Sequence, residues 1–339
     1  MNKELSKGRL LDAEGNLKEA GFAYSLIKDY SRKDIKGLIT RIKEWDYYCF
    51  LTNEYGIALT IDDNSYMSMV SVSFLDFRYR TYITKSLIKP FSFGKVKLPS
   101  TSTVGNIVFE GKKFSFSFLN DGKERKLKCS FKNFTKHSDF SCDLIVHQSS
   151  DKSMVIATPF AKKKHFYYNQ KINNLVCNGT FKIGEREYKL ENALGVLDWG
   201  RGTWTYNNTW YWGSCSFKDK EGYKGFNLGY GFGDTSNATE NMAFFNDKAY
   251  KLNDVKFLIP KNEKGEYIYT KTWRIVSEDN SINMEFAPLF DRHDDTNVIV
   301  LCSLQHQVYG YFTGTIKAGR KIIKFDHALG FAERVTNKW

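Results

Sequence analysis

Apolar and polar residues alternate along most of this chain in short runs separated by Asn, Asp, Gly and Lys. This two-residue period is the mark of strands with one buried face. Phe114, Phe116 and Phe118 alternate ahead of Asn120-Asp121-Gly122-Lys123, and Leu127, Cys129 and Phe131 keep the period beyond it, which predicts a hairpin. In the first half, similar runs at 48–52, 56–61 and 65–77, with two more between 139 and 160, predict an antiparallel meander. The style resumes at His165 and continues through 210–217, 225–232, 242–252, 267–276, 282–286, 298–304, 307–316 and 321–325. One stretch departs from it. Ile35, Leu38, Ile39 and Ile42 repeat at helical spacing behind Ser31, with Asp34 at the third position, predicting one main helix over 32–44 that packs on a sheet.

Short strands at regular spacing with almost no helix define an all-β chain of barrels or sandwiches. At 339 residues the chain exceeds what one core usually organises. Two domains are expected, 1–160 and 161–339, with the change placed where the strand pattern restarts. Hydrophobic residues make up 42% and aromatics 16%, which indicates a sizeable core and argues against long disordered tails.

The start, Met1-Asn2-Lys3-Glu4, leads into Lys7 and Arg9 without an apolar run, and nowhere do eighteen uncharged apolar residues follow one another. A cytoplasmic location with no membrane span is therefore expected. The six cysteines include no Cys-x-x-Cys pair, so buried thiols are expected rather than zinc or a disulfide framework. The net charge of +12 raises the question of nucleic acid. Because the lysines are dispersed among strands and only Lys162-Lys163-Lys164 forms a run, no nucleic-acid partner is expected.

The candidate chemistry gathers on 198–213. This segment packs four of the seven tryptophans, an acid, an arginine and three glycines into sixteen residues. Trp204, Trp210 and Trp212 read equally well as core residues on one strand face and as the wall of a pocket. A carboxylate among indoles is costly unless paired. Arg201, three residues on, is the expected partner of Asp198, and a structural ion pair and an active site are both open. No dinucleotide fingerprint, phosphate loop, metalloprotease motif or nucleophile elbow is present, so neither cofactor nor metal is expected. Gly229-Tyr230-Gly231-Phe232-Gly233 lies in strand context and reads as barrel kinks or close backbone approach. The remaining polar residues within apolar sequence are Asp46, Glu240, Asn241, Asp291, Arg292, His293, His306 and Glu333. Of these, the cluster 291–295 could bind a cation but reads rather as a hydrophilic loop between strands, and His306, between Gln305 and Gln307, as either a satisfied core histidine or a titrating group.

Several motifs occur together and in order: Trp45-Asp46-Tyr47-Tyr48, Asp198-Trp199-Gly200-Arg201-Gly202-x-Trp204, Glu240-Asn241, Phe286-Ala287-Pro288 with Asp291-Arg292, Gln305-His306-Gln307-x-Tyr309-Gly310, and Gly330-Phe331-Ala332-Glu333 with the final Trp339. In these the chain resembles the bacterial family called domain of unknown function 2804, except that Thr205 stands where the family has proline and Phe22 where it has tryptophan. That resemblance implies no activity. More distantly, the run from His165-Phe166-Tyr167-Tyr168 through Gly179 to Asp198-Trp199-Gly200 is similar to the second domain of carotenoid 1,2-hydratase-like proteins. That likeness implies two tandem lipocalin-like antiparallel β-barrels, in a superfamily that includes hydratases of isoprenoid double bonds and pericyclases.

Two functions follow as expectations. One is binding of a hydrophobic, lipid- or isoprenoid-like small molecule in an aromatic barrel or cleft, with Trp199, Trp204, Tyr206, Trp210, Trp212, Asn241 and Gln305 as ligand-binding residues. The other is a cofactor-independent hydratase or isomerase that protonates an alkene. Asp198, Arg201, Glu240 and His306 are the catalytic candidates, expected to converge on one cavity in the second domain. If a close arginine holds Asp198 ionised, the acid role passes to Glu240.

Overall fold

The computed structural model describes residues 2–298 and 301–338. Ile299 and Val300, inside the expected strand 298–304, and the final Trp339 lie outside the described residues. Strand accounts for 63% of the chain and helix for 2%, in two curled antiparallel sheets that form tandem lipocalin-like half-barrels.

The first sheet has twelve strands. Its main path runs Thr81–Pro90, Met67–Asp76, Tyr55–Asp63, Ile42–Leu51, Arg186–Thr203, Phe166–Ile183, Phe140–Gln148, Arg125–Phe131, Phe114–Asn120, Ile107–Gly111. The second has nine, in the order Lys248–Lys251, Met242–Phe245, Gly222–Tyr230, Asn207–Asp219, Lys321–Lys338, Leu301–Ala318, Ile282–Val298, Trp273–Val276, Lys256–Leu258. The chain passes from one sheet to the other between Thr203 and Asn207, so the hairpin that opens at Phe166 belongs to the first sheet. The turn at 121–124 closes the expected hairpin, with Phe116 opposite Cys129 and Phe118 opposite Leu127.

The helix expected over 32–44 does not form. Two single 3-10 turns, Arg32–Asp34 and Ile39–Arg41, take its place, and Ile42 begins a strand. Ser31 does cap, accepting from the Lys33 N–H, but it caps one turn only. Gly37 and the β-branched Ile35, Ile39, Thr40 and Ile42 weaken a helix. Leu38 and Ile39 remain 64% and 53% exposed, so no sheet face rewards a helical stripe. Pairing Ile42–Leu51 with the motif strand Arg186–Thr203 outweighs the local pattern. The segment 291–295, read as a loop, likewise lies within the strand Ile282–Val298, which pairs with Leu301–Ala318.

Both barrel interiors are filled. The first is packed by Tyr48, Phe50, Leu59, Val72, Phe116, Phe131, Leu197 and Trp199 among others. Phe226, Trp273, Phe286, Phe312 and Phe325 pack the second. Two further clusters lie between the sheets, one around Cys49, Val196, Trp212, Tyr309 and Phe331, the other around Tyr167, Trp204 and Phe232. All six cysteines are free thiols, five of them buried. Among the described residues no helix is long and apolar enough to cross a membrane.

The glycines of the motif permit this inter-sheet packing. A side chain on Gly200 would collide with the six-membered ring of Trp45, whose indole stacks on Tyr167 and meets Trp204 edge-on. Gly200→Ala is expected to cost about 2–3 kcal/mol in urea unfolding, the scale of overpacking in a rigid core. A variant as stable as the parent would mean that Trp45 can step aside without loss.

Candidate functional site

The alternation of the strand Arg186–Thr203 decides what the Asp-Trp-Gly-Arg-Gly segment can do. Leu197, Trp199 and Arg201 project into the first barrel, whereas Asp198 and Gly200 face the second sheet. An offset of three residues puts Asp198 and Arg201 on opposite faces, so the expected ion pair between them does not exist. Arg201 is wholly buried, donates to an Asp46 carboxylate oxygen at 2.9 Å and to the carbonyls of Trp45, Gly200 and Pro99, and lies 4.3 Å above the Trp199 ring. Burial raises the Asp46 carboxyl in spite of that guanidinium. This network lies within the first barrel, and neither Arg201 nor Asp46 lines the cavity between the sheets.

Asp198 is held instead by Lys171 of the adjacent strand, 2.7 Å away, and by the Asn169 side-chain amide at 2.6 Å. The Lys171 ammonium also sits 3.7 Å over the face of Trp212. Asp198, Lys171 and Trp212 border a cavity of about 520 Å³ between the two sheets. One wall is aromatic, formed by Trp45, Tyr167, Trp204, Trp210, Trp212 and Phe232. The opposite wall, from the strands Tyr55–Asp63, Met67–Asp76 and Thr81–Pro90, presents Thr60, Ser71, Ser73, Thr84 and Ser86. The outward alternate positions of those strands carry hydroxyls and face the cleft, while the inward ones carry Leu59, Ile61, Val70 and Val72. Pocket and core share the same strands on opposite faces.

Two acids on the second-sheet side of the cavity are buried. Glu333 accepts from Trp210 Nε1 at 3.0 Å and from the Gln307 amide at 2.9 Å, and burial raises its pKa. Glu240 is 6% exposed. Its carboxyl occupies the space left by the missing side chain of Gly229, where a Cβ would come within 2.7 Å of Oε1. No hydrogen bond reaches that carboxyl from the described residues. Burial pushes it up to about 7, opposed by the Lys171 charge and reinforced by Asp198. At the far end of the cavity burial also raises Asp62, to about 8, although Lys43 pulls it down.

Of the sequence-predicted residues, Asp198, Glu240, Trp204, Trp210, Trp212 and Gln305 line this cleft. Arg201 and Trp199 belong to the first barrel core. His306 points away from its neighbours Gln305 and Gln307, pairing with Asp291 at 2.6 Å and stacking on Tyr269 at 3.8 Å. Asn241 is structural, accepting from the Gly229 N–H and donating to the Asn253 carbonyl. Tyr206 is 43% exposed and lies under Arg41. Sequence reading missed Lys171, Asn169 and Asp62 altogether, and treated Glu333 and Arg292 only as polar residues to be explained. Lys171 and Asn169 sit two apart in a strand read as aromatic, and that alternation was the available signal.

The architecture and the site together describe a tandem β-barrel protein with a cavity between its barrels. The chain belongs to the family described as Domain of unknown function (DUF2804), whose model matches residues 2–339. Among solved structures, a candidate AttH of Nitrosomonas europaea superposes with a TM-score of 0.55 at 11% identity, covering 87% of this chain and 92% of that one. Kievitone hydratase of Nectria haematococca gives a TM-score of 0.49 at 10% identity, covering 93% of this chain and 97% of that one. The first likeness is one of fold, and neither carries an activity to this chain. No match was found among curated proteins.

The raised pKa of Glu240 has a thermodynamic consequence. Its folded value, about 7, lies above the 4.5 of a free glutamate. The stability it lends is therefore whole below about pH 4.5 and is lost as pH rises through 7. Glu240→Gln, neutral at every pH, should match the parent near pH 4.5 and exceed it above pH 8 by up to about 3 kcal/mol. Urea unfolding at both pH values measures this, and an equal difference at the two would show that the carboxyl titrates normally.

Proposed function

We propose that this protein binds a hydrophobic, lipid- or isoprenoid-like small molecule in the cleft between its barrels. The observation that carries this reading is the cavity of about 520 Å³ walled by four tryptophans, Trp45, Trp204, Trp210 and Trp212, with Tyr167 and Phe232. Sites for small molecules are concave, mostly apolar and furnished with a few orienting polar groups. Both barrel interiors are packed, so a ligand of this kind has its place between them. The hydroxyl-bearing wall would bind the less apolar side of the molecule. Free thiols throughout are in keeping with a cytoplasmic setting.

One observation favours a second reading, that the cleft performs acid catalysis without a cofactor. Glu240 is a carboxyl raised to about 7 with no hydrogen bond from the described residues, placed beside aromatic faces. Such a group keeps a substantial protonated fraction at neutral pH and is near the optimum for a general acid. It would transfer its proton to an alkene carbon of the bound molecule. Water adding to the resulting cation would lose a proton, which restores Glu240. Asp198, held by Lys171, stays outside this step. With Arg201 and His306 away from the cleft, Glu240 alone of the four catalytic candidates has this capacity.

Native mass spectrometry of freshly purified protein should show a co-purified small molecule. Thr60→Trp, which adds an indole to the cavity at a strand position that favours aromatics, should lose it while remaining folded. A parent that carries nothing and gains nothing on incubation with lipid or isoprenoid extracts would contradict binding. For the second reading, the parent should incorporate solvent deuterium into a bound alkene and Glu240→Gln should bind it without exchange. Equal exchange by both would remove Glu240 from the chemistry.

A further inference from the structure

The cleft holds one cation that no acid neutralises directly. Arg292, on the strand Ile282–Val298, reaches across to the first sheet and donates to Ser73 Oγ at 3.1 Å. Its Nε and the other terminal nitrogen donate to Gln307 Oε1 at 3.1 and 2.8 Å. No carboxylate of the described residues forms an ion pair with it. Lys171, the other cation bordering the cavity, is matched by Asp198.

The nearest acid in this network is Glu333, and Gln307 stands between them. The Gln307 amide nitrogen donates to Glu333 Oε2 at 2.9 Å while its oxygen accepts from Arg292 and, at 2.8 Å, from the Tyr309 hydroxyl. Burial favours the neutral form of Glu333. Tyr47, Tyr309 and Cys49 surround the guanidinium, and burial raises all three, keeping them uncharged. A guanidinium carries five N–H donors in a fixed fork suited to a carboxylate. The three bonds to Gln307 and Ser73 leave two donors at the edge of a cavity. Arg292 is half-buried, and a guanidinium at a cavity edge with donors to spare and no paired carboxylate is suited to an anion. The chain's charge of +12 also favours the approach of an anionic ligand.

We propose that the molecule bound in the cleft is an amphiphile with a carboxylate head, and that Arg292 is the residue that reads that head while the tryptophan wall takes the apolar body. The proposal rests on the reading of the cleft as a ligand site and adds to it the ligand's charge. Ser73 and Gln307 act as positioning residues: they fix the fork from both sheets, so the head group is gripped where the barrels meet. This arrangement selects acids over alcohols and esters of the same carbon skeleton.

A matched pair of probes separates the two claims. 1-Pyrenebutyric acid and 1-pyrenebutanol share a skeleton, and energy transfer from the cleft tryptophans to pyrene reports binding of either. At pH 7.5 the parent should bind the acid about tenfold or more tightly than the alcohol, the scale of a charge-assisted hydrogen bond. Arg292→Gln should abolish that preference while leaving the alcohol's affinity within about twofold, and Arg292→Lys should keep part of it. Equal affinity of the parent for acid and alcohol overturns the head-group assignment and leaves the cleft reading intact. Binding of neither overturns both. A preference that persists unchanged in Arg292→Gln also overturns the assignment. Because the comparison within the parent needs no variant, it remains decisive if the substitutions fail to fold.

Discussion

The two faces of the strand Arg186–Thr203 are the constraint on which the molecule depends. One residue of register separates a side chain that seals the first barrel from one that borders the cleft. Trp199 and Arg201 go inward, where Arg201 meets Asp46 and three carbonyls, and Asp198 goes outward to Lys171. Gly200 keeps the outward face low enough for Trp45 to lie across it. A slip of one position would put the arginine into the cleft and the acid into an apolar core, so folding and site formation are one event.

Because the barrels are full, the space available for chemistry is the gap between them. Small and hydroxylated residues at the outward positions of the first sheet keep this gap open. Tryptophans and Phe232 at the sheet junction border it on the other side. Burial in this gap governs the electrostatics, raising the pKa of Glu240, Glu333 and Asp62 more than any neighbouring charge shifts it. Lys171 and Asp198 lie in contact, 2.7 Å apart, across the hairpin.

Much of the fold was legible in the sequence. Strand periodicity and turn chemistry are local, and they predict the hairpin at 114–131. The helix at 32–44 failed because its pattern of Ile and Leu serves equally for a strand entry, and only the distant partner strand decides between them. The site was partly legible. Density of tryptophan marks a segment that lines the cleft, and Glu240, in apolar surroundings beside Asn241, is a buried acid there. What was lost came from treating nearness along the chain as nearness in space. Asp198 and Arg201 are three apart in a strand, a spacing that would put them side by side on a helix and separates them here. His306 suffered the same error between two glutamines that face the cleft. The partner of Asp198, Lys171, lies across a hairpin and could be found only from strand register.

A crystal structure of the protein soaked with 1-pyrenebutyric acid tests the central claim most directly. The account predicts pyrene density between the barrels, in contact with Trp204, Trp210 or Phe232 and with Glu240 at its edge. Density inside either barrel, or at the surface near His306 and Tyr269, would contradict it.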